Sequence, residues 1–276
     1  MKPVAFQYYK TDLLDDAIER LRAAGDGAKL ISGGQSLGPM LNLRLARPRQ
    51  LIDIGSIAAL RMHESTDTHV VLGAATTHAE IEDGQVPDPF VGALREVAAG
   101  IAYRAVRNKG TIGGSIAHAD PAADWLSLLL CANARVRIQG AAGSRQLPID
   151  ELLMSAYTTA LYADEIITHV EIPQYGGDVR FGFYKICRKV GEFADAIGAV
   201  LVSAQRRYCR VVVGAIGSKP AVLADTTRAF ASTATCPELA TIKADIAAST
   251  FERDPAKLHM AAVSVSRAIN KAMARP

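Results

Sequence analysis

Two short loops with paired glycines restrict this chain more than any other feature. The first, Ile31-Ser32-Gly33-Gly34-Gln35-Ser36-Leu37, runs straight out of a short apolar stretch at 29–32. The second is Gly110-Thr111-Ile112-Gly113-Gly114-Ser115. Paired glycines let a backbone take positive φ and approach a ligand with no Cβ in the way. Successive N–H groups in such a turn form a concavity suited to phosphate oxygens, and Gln35, Ser36, Thr111 and Ser115 add polar side chains. Either loop alone reads more readily as a tight turn. Two of them, each with adjoining hydroxyls, can grip a pyrophosphate from both sides. Neither is G-x-G-x-x-G or G-x-x-x-x-G-K-[ST], so Rossmann and Walker arrangements lose support. A dinucleotide held outside a Rossmann fold stays open.

A chain of 276 residues holds one large domain or two modest ones. It buries enough surface to fold without a disulfide or metal staple. The longest apolar stretches, 125–134 and 196–204, fall short of the ~20 residues that span a bilayer. The opening MKPVAFQYYK lacks the pattern of a signal peptide, so a cytoplasmic protein is expected. Thirty-one basic residues against 28 acidic ones are dispersed and leave a net charge of +3, too mild to indicate nucleic acid. Cys131, Cys187, Cys209 and Cys236 are far apart with no C-x-x-C, and read as reduced core residues. The six histidines form no H-x-x-x-H or H-E-x-x-H pair, so no metal site is expected on this chain.

The coarse pattern is α+β. Leu14, Ala17, Ile18 and Leu21 form a helical stripe, with Thr11 as its cap and Gly25 as its stop. Strands are expected at 29–32, 51–54, 69–74, 165–172, 180–187 and 210–216, and a hairpin at 135–147 turning at Gly140–Gly143. Helices are expected after the first glycine loop, at 89–100, from Asp124 onward, and at 257–274. The stretch 106–124 is polar and glycine-rich and reads as irregular, and QYGGD at 174–178 reads as a linker.

At the glycine loops the sequence also becomes recognisable. SGGQSLGPMLNLRLARPRQLIDI (32–54) and IAYRAVRNKGTIGGSIAHADPAADW (101–125) closely resemble the FAD-binding medium subunit of the molybdenum hydroxylases, the family of xanthine dehydrogenase and aerobic carbon monoxide dehydrogenase. A third block, FYKICRKVGEFADAIGAV (183–200), resembles the family's K-x-x-R-x-x-G-[DE]-[FY]-A pattern. The resemblance implies a PCMH/vanillyl-alcohol-oxidase-type FAD-binding domain at 1–175, with subdomains at about 1–56 and 57–175. A C-terminal α+β domain of the CO dehydrogenase flavoprotein type would follow at 176–276.

The same resemblance implies the cofactor contacts. Leu30, Ile31, Ser32, Gly33, Gly34, Gln35, Ser36 and Leu37 would meet the FAD pyrophosphate from one side, and Thr111, Gly114 and Ser115 from the other. His118 stands at a polar contact position, Asp124 at the position of an acidic residue that binds a flavin-side hydroxyl, and Asp120 lies close by. Ile101 and Ile167 fall at packing positions, Lys185 beside the flavin ring, and Phe193 where relatives often carry a tyrosine. Each has a plainer reading. Asp124 would cap a helix in any fold, His118 and Lys185 could be solvated, and Phe193 could be a core aromatic lacking the phenolic hydroxyl.

Redox chemistry would then belong to FAD, and no catalytic acid, base or nucleophile is expected on this chain. The resemblance implies a complex with a large molybdopterin subunit and a small [2Fe-2S] subunit, a dimer of heterotrimers. In it this chain takes electrons from the clusters and passes them to an external acceptor. The chain lacks the cysteine sets a cluster requires. The hydroxylated substrate, whether N-heteroaromatic, purine, aldehyde or CO-like, is not encoded here. Two other readings remain: a self-contained FAD oxidoreductase of the same fold, and a non-catalytic nucleotide-binding subunit.

Overall fold

The computed structural model describes residues 2–90 and 92–274. The N-terminal part holds β1 (Gln7–Lys10), α1 (Leu14–Ala24), β2 (Ala28–Ile31), α2 (Leu37–Asn42) and β3 (Gln50–Asp53). Its strands form a parallel sheet in the order β1-β3-β2. Ala17, Ile18 and Leu21 of α1 are buried on one face with Ala28 and Ile52, as their helical spacing requires. Thr11 does not cap the helix as expected: Leu13 is the N-cap with no side-chain cap bond, and Thr11 Oγ1 instead accepts from Leu13 N–H at 3.1 Å.

The second unit contains β4 (His63–Ser65), β5 (His69–Gly73), α3 (His78–Glu82), α4 (Ala93–Ala99), α5 (Arg104–Arg107), α6 (Ile112–His118) and α7 (Asp124–Cys131). It continues with β6 (Arg135–Gly140), β7 (Gly143–Pro148), α8 (Ile149–Leu152), β8 (Leu153–Ser155), β9 (Thr158–Thr159) and β10 (Ile166–Pro173). The sheet order is β4-β5-β10-β6-β7, with β10 antiparallel to both its neighbours. The hairpin β6–β7 closes across Gly140 and Gly143, as the sequence suggested.

The third unit is an antiparallel sheet of β11 (Arg180–Ile186), β12 (Ala196–Ser203), β13 (Tyr208–Gly214) and β14 (Ala221–Val222). Helices α9 (Ala224–Thr233), α10 (Leu239–Thr250) and α11 (Pro255–Ala274) complete it. β12 is covered on both faces, which explains its unbroken apolar run. Ile197, Ala199 and Leu201 join the main core, while Ala196 and Val200 face the α11 side. α11 lies against the sheet where glycine permits. A Cβ on Gly182 would sit 1.9 Å from the carbonyl oxygen of Ala268. Gly182→Ala is therefore expected to destabilise the chain by about 3 kcal/mol, because only backbone could move to make room. The urea midpoint of the full chain measures this.

Four further sequence expectations need correction. The stretch 106–124 is not irregular, since it contains α6 and part of α5. Ile112 and Ile116, one turn apart, are fully buried, and that burial outweighs a helix penalty of about 1 kcal/mol for each intervening glycine. The expected linker at 174–178 is pinned at Tyr175, which is buried against Phe90 and Tyr208 and donates its hydroxyl to Ala132 O at 2.9 Å. Of the four cysteines, Cys131 is buried and the other three are half-buried. The helix expected at 89–100 is shorter, beginning at Ala93, and Val91 within it lies outside the described residues. No helix of the described residues is long and apolar enough to cross a membrane.

Candidate functional site

The two glycine loops meet backbone to backbone. β2 ends at Ile31, opposite Asp53 of β3, and the chain turns through Gly34 at φ +69°. A Cβ on Gly33 would lie 1.9 Å from Lys109 O and 2.8 Å from the Cα of Gly110, so only glycine lets the loops approach this closely. Among the described residues, the amides of Gly34, Gln35 and Ser36 have no acceptor within the chain. Gln35 Nε2 folds back to donate to Gly33 O at 2.9 Å.

The second loop is fixed from behind. Thr111 caps α6, its hydroxyl accepting from Gly114 N–H at 3.2 Å, and Gly113 N–H donates to Ala74 O at 2.9 Å. Gly110 rests on the ring of His78, which a Cβ there would meet at 2.9 Å. Burial, and secondarily the positive charge of Arg107, pushes the His78 pKa down to about 4. The imidazole is thus neutral and its Nδ1 accepts from Trp125 Nε1 at 3.1 Å. Gly114 differs from its neighbours: it is exposed, and a Cβ there would approach only the Thr111 hydroxyl.

A cavity of about 460 Å³ opens where the loops meet, lined by Ser32, Gly33, Ser56, Thr77 and Thr111, by the cations Lys10, Arg61 and Lys109, and by the carboxylates Asp53 and Glu80. The hydroxyls of Ser32 and Ser56 are buried there without a partner. The unpaired hydroxyls with Lys10 and Lys109, next to the free amides of the first loop, suit phosphate oxygens, whereas Arg61 is paired with Glu80.

A second group gathers where the third unit packs on the second. Lys185 Nζ donates to Asp124 Oδ2 at 3.0 Å and to Gly100 O at 3.4 Å. Asp124 is 5% exposed and its Oδ1 has no partner. Burial raises its pKa to about 6, against the opposing pull of Lys185. The expected capping role of Asp124 is not seen, because it is the first residue of α7 and its carboxylate makes no cap hydrogen bond. Ile101 follows Gly100 and packs half-buried against the core. The loop 187–195 rests on this turn through Gly191 and leaves Phe193 66% exposed, so Phe193 is not a core aromatic.

His118 and Asp120 lie at the end of α6, with the rings of His118 and Tyr157 5.2 Å apart. The Tyr157 hydroxyl pKa is raised by burial and by the charge of Asp120. Tyr157 sits at a hairpin turn with no motif around it, so sequence reasoning misses it. Leu30 packs beside the core of the first unit, and Ile167 is buried in the main core on β10.

A family model described as the FAD binding domain in molybdopterin dehydrogenase matches residues 4–175. The chain is 36% identical over 219 residues to the 6-hydroxypseudooxynicotine dehydrogenase complex subunit alpha of Paenarthrobacter nicotinovorans, covering 79% of this chain and 74% of that one. It is 30% identical to the carbon monoxide dehydrogenase medium chain of Afipia carboxidovorans, over 100% of this chain and 99% of that one. Among solved structures, reconstituted CO dehydrogenase from Oligotropha carboxidovorans superposes with a TM-score of 0.91 at 29% identity, covering 100% of both chains. Quinoline 2-oxidoreductase from Pseudomonas putida 86 superposes with a TM-score of 0.86 at 29% identity, over 99% of this chain and 98% of that one.

Proposed function

The chain belongs to the family of FAD-binding domains of the molybdopterin dehydrogenases, and on that premise we propose that it is the electron-transfer subunit of a molybdenum hydroxylase. It would take electrons from [2Fe-2S] clusters of a small partner subunit and deliver them to an external acceptor. A large molybdopterin subunit would hydroxylate the substrate. The observation that carries the reading is the meeting of the two glycine loops at Gly33 and Lys109–Gly110, with three consecutive free amides in the first loop and an open Gly114 in the second.

The site assignment is part of the proposal. Leu30 to Leu37 would meet the pyrophosphate from one side and Thr111, Gly114 and Ser115 from the other. His118, Asp120 and Asp124 would hydrogen-bond beyond it. Ile101, Ile167, Lys185 and Phe193 would line the flavin end. FAD supplies the two-electron chemistry when bound, and the protein orients it and sets the charge around it. Asp124 holds Lys185 Nζ in place, so a positive charge stands at the Gly100–Ile101 turn. Domains at 1–175 and 176–276 and a cytoplasmic location belong to the same proposal.

Relatives of this chain are subunits of a nicotine hydroxylase and of carbon monoxide, caffeine and glyceraldehyde dehydrogenases. The substrate of the present complex would be one such small molecule, bound by the large subunit. Affinity purification from the native host through a tag on this chain tests the assembly. Brown material with FAD, iron and two further polypeptides is expected. A lone yellow chain that turns over substrate without partners would overturn it in favour of a self-contained flavoenzyme.

A further inference from the structure

One charged cluster lies directly behind the Gly100–Ala102 turn. Arg107 on α5 is mostly buried. Its Nη1 donates to Ile101 O at 2.9 Å and to Ala102 O at 3.0 Å. Its Nε and Nη2 donate to Glu82 of α3, to Oε2 at 2.7 Å and Oε1 at 2.9 Å, a two-pronged pairing that fixes the plane of the guanidinium. Arg104 braces the far side, donating to Glu82 Oε2 at 2.8 Å and, through both terminal nitrogens, to Asp83 at 2.7 and 2.6 Å.

The turn needs this support. Ala102 has φ +43°, in the left-handed region that alanine disfavours by about 1–2 kcal/mol. Its carbonyl oxygen is held from inside by Arg107 and covered from outside by Gly191, where a Cβ would fall 2.6 Å from it. Two carbonyls away, Gly100 O takes the hydrogen bond from Lys185. One short turn therefore sets the height of the 187–195 loop and the place of the Lys185 ammonium.

We propose that Arg107, oriented by Glu82, is a positioning residue that holds the Ile101–Ala102 turn so that Ile101, Lys185 and Phe193 face the flavin at the correct distance. The inference rests on the reading of those three residues as flavin-side groups. A lysine could reach one carbonyl or the carboxylate, but it lacks the fork that serves both.

Arg107→Lys and Gly191→Ala, made separately in the full chain, approach the same carbonyl from opposite sides. Both are expected to give folded protein, Gly191→Ala with a lowered melting temperature because φ of +90° strains any side chain there, and with the flavin visible bands and fluorescence shifted in each. The FAD dissociation constant should rise about tenfold, equivalent to about 1.4 kcal/mol. Glu82→Gln keeps the shape of the pair and should give a smaller shift in the same direction. If Arg107→Lys does not fold, Gly191→Ala and Glu82→Gln still decide. FAD-bearing wild type whose folded variants keep its spectrum and affinity would overturn the clamp alone. A wild-type chain that binds no FAD would overturn the clamp and the proposed function together.

Discussion

Gly114→Val is expected to leave the chain folded and strip it of FAD. The four other glycines of the loops cannot make this distinction, Gly110 because a Cβ there would press on the His78 ring at 2.9 Å. A side chain at Gly33 would strike Lys109 O at 1.9 Å and one at Gly113 would strike Ala74 Cβ at 2.5 Å, so either change breaks the packing of the loops themselves. Gly34 sits at φ +69°, where any side chain is strained. Gly114 carries neither burden. Its φ is not positive, and a Cβ there meets only the Thr111 hydroxyl at 2.9 Å, which can rotate. Valine at this place in α6 removes a weak helix former and puts a branched side chain where the proposed site needs open backbone. Affinity for FAD should fall roughly 100-fold or more, about 3 kcal/mol, while the melting temperature without FAD stays near that of wild type. Melting with and without added FAD separates the two effects. A variant with unchanged FAD affinity would move the cofactor away from these loops.

Lys185→Met should have the larger effect on stability. Breaking a buried ion pair by removing one partner costs about 3–5 kcal/mol, because the remaining charge stays buried. Asp124 already has its pKa raised to about 6 from 3.8 with the lysine beside it. The native state therefore binds more protons than the unfolded state between about pH 4 and 6. On that group's account, stability falls as pH rises through this window, by about 3 kcal/mol in total, and stays lower above it. Without Lys185 the carboxyl titrates higher still and the falling window extends towards neutral pH. The FAD-free variant should thus lose stability between pH 6 and 8, where wild type no longer does. Adding Asp124→Asn to Lys185→Met should restore most of the loss and flatten the profile. A single variant as stable as wild type at pH 8 would show that the pair is not buried as described.

Local chemistry made much of this molecule readable. The Leu14–Leu21 stripe, the Gly140–Gly143 hairpin and the C-terminal helix follow from periodicity and turn residues, and they stand near the expected bounds. The glycine loops were legible as places of close approach. What each glycine approaches was not, since Gly33 meets Lys109, 76 positions along the chain, only after two sheets have packed. α6 escapes a pattern reading because glycines sit between its two buried isoleucines. α9 and α10 escape it because alanine and threonine give them a weak apolar face. Arg107 and Tyr157 have no signature at all. Their importance comes from carbonyls and rings brought to them by other elements.

The most direct measurement is the amount of FAD released by acid from the purified full chain, set against its protein concentration. About one FAD per chain, with the flavin absorption bands present before release, is expected. No bound flavin after incubation of the folded chain with excess FAD would contradict the assignment of the glycine loops.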